Sequence, residues 1–183
     1  SADALLHALG RPDRLTVLFG DLREPHFGLS TGQWQGLVHD TFAVVHAGAE
    51  VNHFKTYEAL RSANVGGTTI AAQLAFEAGG GAVPLIQIST HSVVDDAAFE
   101  DRLVNGYARS KWVAEQRLAA AADQGLPVRL IRLGRVTPRR HGGAFNERDA
   151  QYLLFSACIA IEATPNWEYV EEASPADVVG QAV

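Results

Sequence analysis

The chain has 183 residues, 47% of them hydrophobic and 20% charged, enough for one domain with a sizeable core. A formal net charge of −6, with 13 arginines and 2 lysines scattered along the chain, argues against nucleic acid as the main partner. No apolar run has bilayer-spanning length, no signal peptide is visible, and the single Cys158 excludes an internal disulfide and any multi-cysteine zinc site, so the expectation is a cytoplasmic protein with no membrane partner.

Apolar strands alternate with amphipathic helices along the chain. Residues 3–9 read as the end of a helix, stopped by Gly10 and Pro12. Leu15–Phe19 reads as a buried strand ending in Gly20-Asp21. Ser30 or Thr31 caps a short helix through about Val38. Phe42–His46 is a second strand, followed by the small residues Ala47-Gly48-Ala49. A long helix runs from about Tyr57 to Ala78, with Gly66-Gly67 inside it. Val83–Ser89 is the third strand, Gly106 to Ala122 a helix, and Val128–Leu133 the fourth strand. Beyond Pro138 the pattern loosens into an exposed loop at 139–148, a helix over Ala150–Glu162, a short strand at 167–170 and a final helix starting near Ser174. Strand runs that are apolar on both faces and alternate with helices predict an α/β fold with a mainly parallel sheet.

The chemistry centres on Tyr107-Ala-Arg-Ser-Lys111. At positions i and i+4 of a helix, a phenol and an ammonium share one face. The ammonium is expected to lower the phenol's pKa and ready it for proton exchange near neutral pH. The blander interpretation is a packed tyrosine and a solvated lysine. Thr90 sits just past a strand's carboxyl end, where parallel sheets bind ligands, and its hydroxyl can donate to a carbonyl oxygen that is gaining negative charge. As a turn or cap residue it would need no such role. The seven histidines show no paired metal-ligand spacing. Cys158 is expected in a core, Trp34 and Trp112 in packing, and Arg139-Arg140-His141 in a solvated loop that an acidic partner would also suit.

Six ordered stretches resemble one family. They are Gly20-Asp21-Leu22; His46–Ala49 with Val51-Asn52-His53; Leu60–Thr68; Ile88–Val93; Gly106-Tyr107 with Ser110–Glu115; and Arg132–Val136. As a set they are similar to the thioester reductase domains that end nonribosomal peptide synthetases, carboxylic acid reductases and aminoadipate reductases. These domains belong to the extended short-chain dehydrogenase/reductase superfamily. The resemblance is close over 14–138 and loose over 139–183. It implies a Rossmann-like sheet with flanking helices, with 1–138 as an NADP-binding-type core and 139–183 as a partial substrate-binding region. It also implies that Thr90, Tyr107 and Lys111 are the catalytic triad. Asp21 and Leu22 would lie beside the adenine, and Ala47, Gly48 and Ala49 would lie against the cofactor. Asn64 would support the active site from the cofactor side, and Arg135 would lie near the nicotinamide. The implied cofactor is NADPH. The implied partner is an acyl or peptidyl carrier protein whose phosphopantetheine arm presents a thioester for reduction to an aldehyde or alcohol.

The family opens with a strand, a glycine-rich phosphate loop, a helix and a second strand, and these first two β-α units are absent from the sequence. The cluster Gly79-Gly80-Gly81 follows a helix and precedes a strand, the reverse of a pyrophosphate loop, so it reads as a helix stop and turn. With no methionine and a Ser-Ala-Asp start, the chain is expected to be a piece of a longer polypeptide. In the strand order 3-2-1-4-5-6 the absent strands are the central pair. Three outcomes are open. Leu15–Phe19 pairs directly with Phe42–His46, a partner chain or second copy fills the gap and covers the exposed sheet face, or the two units precede residue 1. The alternative function is a truncated reductase-like domain without redox activity, acting as a cofactor-independent release or condensation enzyme or as a carrier-docking module. An extended reductase acting on free sugars or alcohols is the third class, disfavoured by the Ser-Thr-His-Ser context.

Overall fold

Three short strands carry the main sheet: β1 (Val44–His46), β2 (Leu85–Thr90) and β3 (Val128–Leu133). They are parallel in the order β1-β2-β3. The computed structural model describes residues 15–93, 105–141, 149–166, 168 and 172–183. The expected helix at 3–9 lies outside them, as do most of the expected loop at 139–148 and strand at 167–170.

The helices form where periodicity and caps direct them. Helix α1 (Thr31–Asp40) starts at a capping box, in which Ser30 and Gln33 each satisfy the other's backbone N–H. Helix α2 (Tyr57–Arg61) is capped by the Thr56 side chain and runs through a π-helical segment (Ser62–Gly66) into α3 (Gly67–Glu77). The stop at 78–80 is a 3-10 turn in which Gly79 and Gly80 take positive φ, as the glycine cluster predicts. Helix α4 (Gly106–Asp123) is capped by the Asn105 side chain, which accepts from Ala108 N at 2.8 Å. A two-stranded parallel unit follows, β4 (Arg135–Thr137) with β5 (Ala173–Pro175), together with α5 (Ala150–Ala160) and α6 (Ala176–Ala182). The expected helix start near Ser174 is therefore a strand first and a helix from Ala176. Among the described residues no helix is long and apolar enough to cross a membrane.

The core lies between the sheet and α3–α4, where Ala71, Ala72, Ala75 and Leu118 pack on Leu85 and Leu126. Burial alternates along β2, so Leu85, Gln87 and Ser89 face the helices. The side chains on this covered face change from apolar to polar toward the strands' carboxyl ends: Val44 then His46 on β1, and Leu85, Gln87, Ser89 on β2. The other face is more open; Val45 is 52% exposed.

Leu15–Phe19 does not form the expected buried strand. It joins no ladder, and Phe19 is 78% exposed. An extended run becomes a strand only with a hydrogen-bonded neighbour, and among the described residues β1 pairs with β2 alone. Direct pairing with Phe42–His46, one of the three open outcomes, is thus not made. The chain turns instead at Gly20, where an added Cβ would lie 2.7 Å from Phe27 O, and Leu22 settles against Gly48 and Gly67. Gly67 weakens a helix by about 1 kcal/mol relative to alanine. Here it makes room, since a Cβ would stand 3.1 Å from that of Leu22.

Candidate active site

The site is built at the carboxyl ends of β1 and β2 and the first turns of α4. Lys111 is 3% exposed, and its Nζ donates to Ile88 O at 2.8 Å. This anchors the helix to β2 two residues before Thr90. Burial brings the ammonium down to about pKa 8, against the opposing pull of Glu115. Tyr107, one helical turn earlier, is half-buried, with His53 edge-on to its ring at 5.3 Å. Burial raises its phenol's pKa. The expectation that the ammonium lowers it is therefore not met in this arrangement. The reason is physical: desolvation acts on the phenol directly, while the Lys111 ammonium is directed to a β2 carbonyl. Thr90 Oγ1 donates to Ser92 Oγ and accepts from Ser92 N, both at 3.2 Å, in the turn that leaves β2.

A polar brace holds the tyrosine's helix. Asn64 is 1% exposed in the π-helical segment. Its Oδ1 accepts from Glu50 N at 2.7 Å, and its Nδ2 donates to Glu50 O at 3.1 Å and Ser110 Oγ at 2.9 Å. Ser110 Oγ in turn donates to Tyr107 O at 2.7 Å. The turn after β1 is thus tied through Asn64 and Ser110 to the backbone of Tyr107. A π segment widens one helical turn and is often found at functional sites. Gly106 completes the fit, because a Cβ there would lie 2.4 Å from Tyr57 N. Gly106→Ala is expected to force α4 away from the 55–57 segment and to lower stability by about 2 kcal/mol in urea denaturation. An unchanged midpoint would show that this contact is not limiting.

Beneath Lys111, Glu115 is 3% exposed. It accepts from Ser89 Oγ at 2.5 Å and pairs with Arg132 at 2.6 Å. His46 also lines a cleft of about 430 Å³, together with Thr16, Leu18, Gly20–Leu22, Phe27, Leu29, Leu37, Val45, Ala47 and Gly48. His46 is 6% exposed, and burial, followed by the Lys111 charge, lowers its imidazole to about pKa 4. It is therefore neutral at physiological pH. Asp21 is held at about pKa 2 by the Arg23 guanidinium, which makes a bidentate contact with it. Among the described residues no group of three or more His, Cys, Asp or Glu could hold a metal ion.

The profile of an NAD-binding family described as Male sterility protein matches residues 2–102 and 95–183. The chain belongs to this family. Members resembling it include glycine betaine reductase of Emericella nidulans, 34% identical over 93% of this chain and 14% of that protein. The carboxylic acid reductase of Segniliparus rugosus is 32% identical over 87% of this chain and 15% of that protein. Among solved structures, the terminal R domain from the myxalamid PKS-NRPS pathway superposes with a TM-score of 0.87 at 34% identity, over 95% of this chain and 47% of that one. The resemblance to terminal reductase domains, and the Rossmann-like parallel sheet that it implies, are thereby shown; the chain spans less than half the length of each of these relatives.

The named residues fall into three groups. Thr90 ends β2, and Tyr107 and Lys111 lie one turn apart on α4, where Lys111 is bonded to Ile88 O of β2. Asp21, Leu22, Ala47 and Gly48 line one cleft, and Ala49 continues the same turn. Asn64 and Arg135 are committed elsewhere: Asn64 to Glu50 and Ser110 as above, and Arg135 to Asp149, with Nη1–Oδ distances of 2.7–2.8 Å. Arg140, read in the sequence as part of a solvated loop, is ion-paired with Asp177. Sequence reading assigned no role to Glu50, Ser110 or Gln87, and none to Glu115 as a buried link between strands. A buried-face position occupied by a polar residue at the end of an apolar run is the one signal that could have singled out Gln87.

Proposed function

We propose that this chain forms part of an NADPH-dependent reductase that releases a carrier-protein-bound acyl or peptidyl thioester as an aldehyde or alcohol. The observation that carries the reading is the buried Lys111, bonded to Ile88 O of β2 two residues before Thr90 and one helical turn from Tyr107, at the carboxyl end of a parallel sheet. Ligands bind at that end of such folds. The nucleotide is assigned to the cleft lined by Asp21, Leu22, His46, Ala47 and Gly48, where the small Ala47 and Gly48 leave the backbone after β1 with little side chain over it. NADPH, when bound, supplies the hydride for the thioester carbonyl.

The chain's own residues do the rest. Thr90 donates a hydrogen bond to the carbonyl oxygen as charge collects there. Tyr107, whose pKa burial raises, is protonated at neutral pH and serves as the proton donor to that oxygen. Lys111 orients the nucleotide ribose with the two N–H bonds not given to Ile88 O. Collapse of the tetrahedral adduct then expels the pantetheine thiol. The two regions, 1–138 for the nucleotide and 139–183 toward the acyl group, would divide the work.

Calorimetry tests the reading directly. NADPH is expected to bind the wild type and to bind Lys111→Ala at least tenfold more weakly, about 1.4 kcal/mol. Release of product from an acyl-carrier thioester with no reduced nucleotide present would overturn the redox reading in favour of cofactor-independent release.

A further inference from the structure

Among the described residues, two buried side-chain polar atoms have no hydrogen-bond partner: His46 Nε2 and Gln87 Oε1. Buried polar groups without hydrogen bonds are uncommon, and each calls for an explanation. The two residues are register partners on adjacent parallel strands, so their side chains leave the same face side by side. Both are buried, Gln87 at 1% and His46 at 6% exposure. Gln87 Nε2 donates to Ile88 O at 2.8 Å, and Lys111 Nζ donates to that same oxygen at 2.8 Å. The amide and the ammonium are therefore immediate neighbours around one carbonyl. His46 lies close enough to Lys111 to feel its charge. One unpaired atom is an acceptor and the other a ring nitrogen that can donate, the complementarity that a bridging water satisfies.

We propose that His46 and Gln87 are positioning residues for Lys111, forming a water-bridged polar seat that keeps the buried lysine protonated and aimed at the site. This rests on the reading of Lys111 as a site residue. The other charged and titratable groups around it are Tyr107 and Glu115 on its own helix and Arg132 of β3, which Glu115 pairs. Helix α2 turns Tyr57 and Glu58 toward Arg109, and the π segment contributes the neutral Asn64. On the strand side the neutral polar groups are therefore Ile88 O, Ser89 and this seat, and the seat shares Ile88 O with the ammonium. Removing the seat makes the surroundings of the ammonium more apolar, which disfavours the charged form.

The sequence offers a clean reporter, because it contains only two lysines, Lys55 and Lys111. Protein labelled with 13C at lysine Cε gives two titrating signals, and Lys55, in its exposed pair with Glu50, is the internal reference. Gln87→Met and His46→Leu are each expected to lower the Lys111 midpoint by about one pH unit, a tenfold loss of proton affinity. The double variant should show about the same shift as the larger single one, because both changes dismantle one seat. Ile86→Val, on the opposite face of β2, should leave the midpoint in place. If Gln87→Met fails to fold, Gln87→Glu keeps the test open: a carboxylate at the seat should raise the midpoint. Unmoved midpoints in folded variants, or fully additive shifts, overturn the proposal. The titration is read without nucleotide, so a protein that binds no NADPH would defeat the reductase reading and leave this result standing.

Discussion

Tyr107→Phe is expected to slow thioester reduction by about 10²–10⁴-fold, the usual range for loss of a positioned acid–base group. Nucleotide affinity should remain near wild type. The substitution removes one oxygen and little else. The ring keeps its edge-on contact with His53, and the brace from Asn64 through Ser110 holds the Tyr107 backbone carbonyl, not the phenol. The helix should therefore stay where it is, and the loss should appear in the chemical step. Because burial raises the phenol's pKa, the protonated form is the working form at neutral pH. Single-turnover oxidation of NADPH against an acyl-carrier thioester measures this. A Tyr107→Phe protein that turns over at the wild-type rate would remove Tyr107 from the mechanism.

Lys111→Met is expected to make the protein more stable while reducing its activity. Burial moves the lysine from 10.5 to about 8, so at neutral pH the folded state carries a charge it solvates poorly. A shift of that size corresponds to about 3 kcal/mol. The folded-state pKa lies below the unfolded one. The penalty is therefore complete below about pH 8 and fades as the pH rises toward 10.5, where the unfolded state also loses its proton. Methionine fills similar volume without the charge. It also orphans no partner: Ile88 O still accepts from Gln87, and Glu115 keeps Ser89 and Arg132. Urea denaturation at pH 7 should show the gain, and the same measurement at pH 10 should show it reduced. A destabilised variant would mean that the ammonium is better solvated in the fold than its 3% exposure implies. Sites that gain activity by holding a strained or charged group commonly lose stability for it.

The strength of the family resemblance depended on residues whose spacing is local. Tyr107 and Lys111 are four apart on a helix, and Ala47-Gly48 follow a strand directly, so helical period and strand-to-turn order place them before any packing is known. The same locality explains why β3 and the start of α4 match their expected bounds closely. Leu15–Phe19 shows the opposite case. Its apolar composition reads as a strand, yet a strand is a relation between two segments, and composition does not supply the second. Asn64 is intermediate. Its place in a motif was visible, but its work depends on a π turn that points its amide at Glu50 and Ser110, two residues 14 positions back and 46 ahead.

By itself, then, the sequence determined the alternation of strand and helix, the helix cap at Ser30 and the glycine stop at 79–80. These follow from short-range periodicity, steric limits on φ and local hydrogen bonding. The tertiary structure alone decided the fate of Leu15–Phe19, the burial of Lys111 and Gln87, and the commitment of Arg135 to Asp149. It also decided the sign of the Tyr107 shift. Each of these depends on which segments meet, and therefore on solvent exclusion and distance, quantities that no stretch of sequence carries on its own.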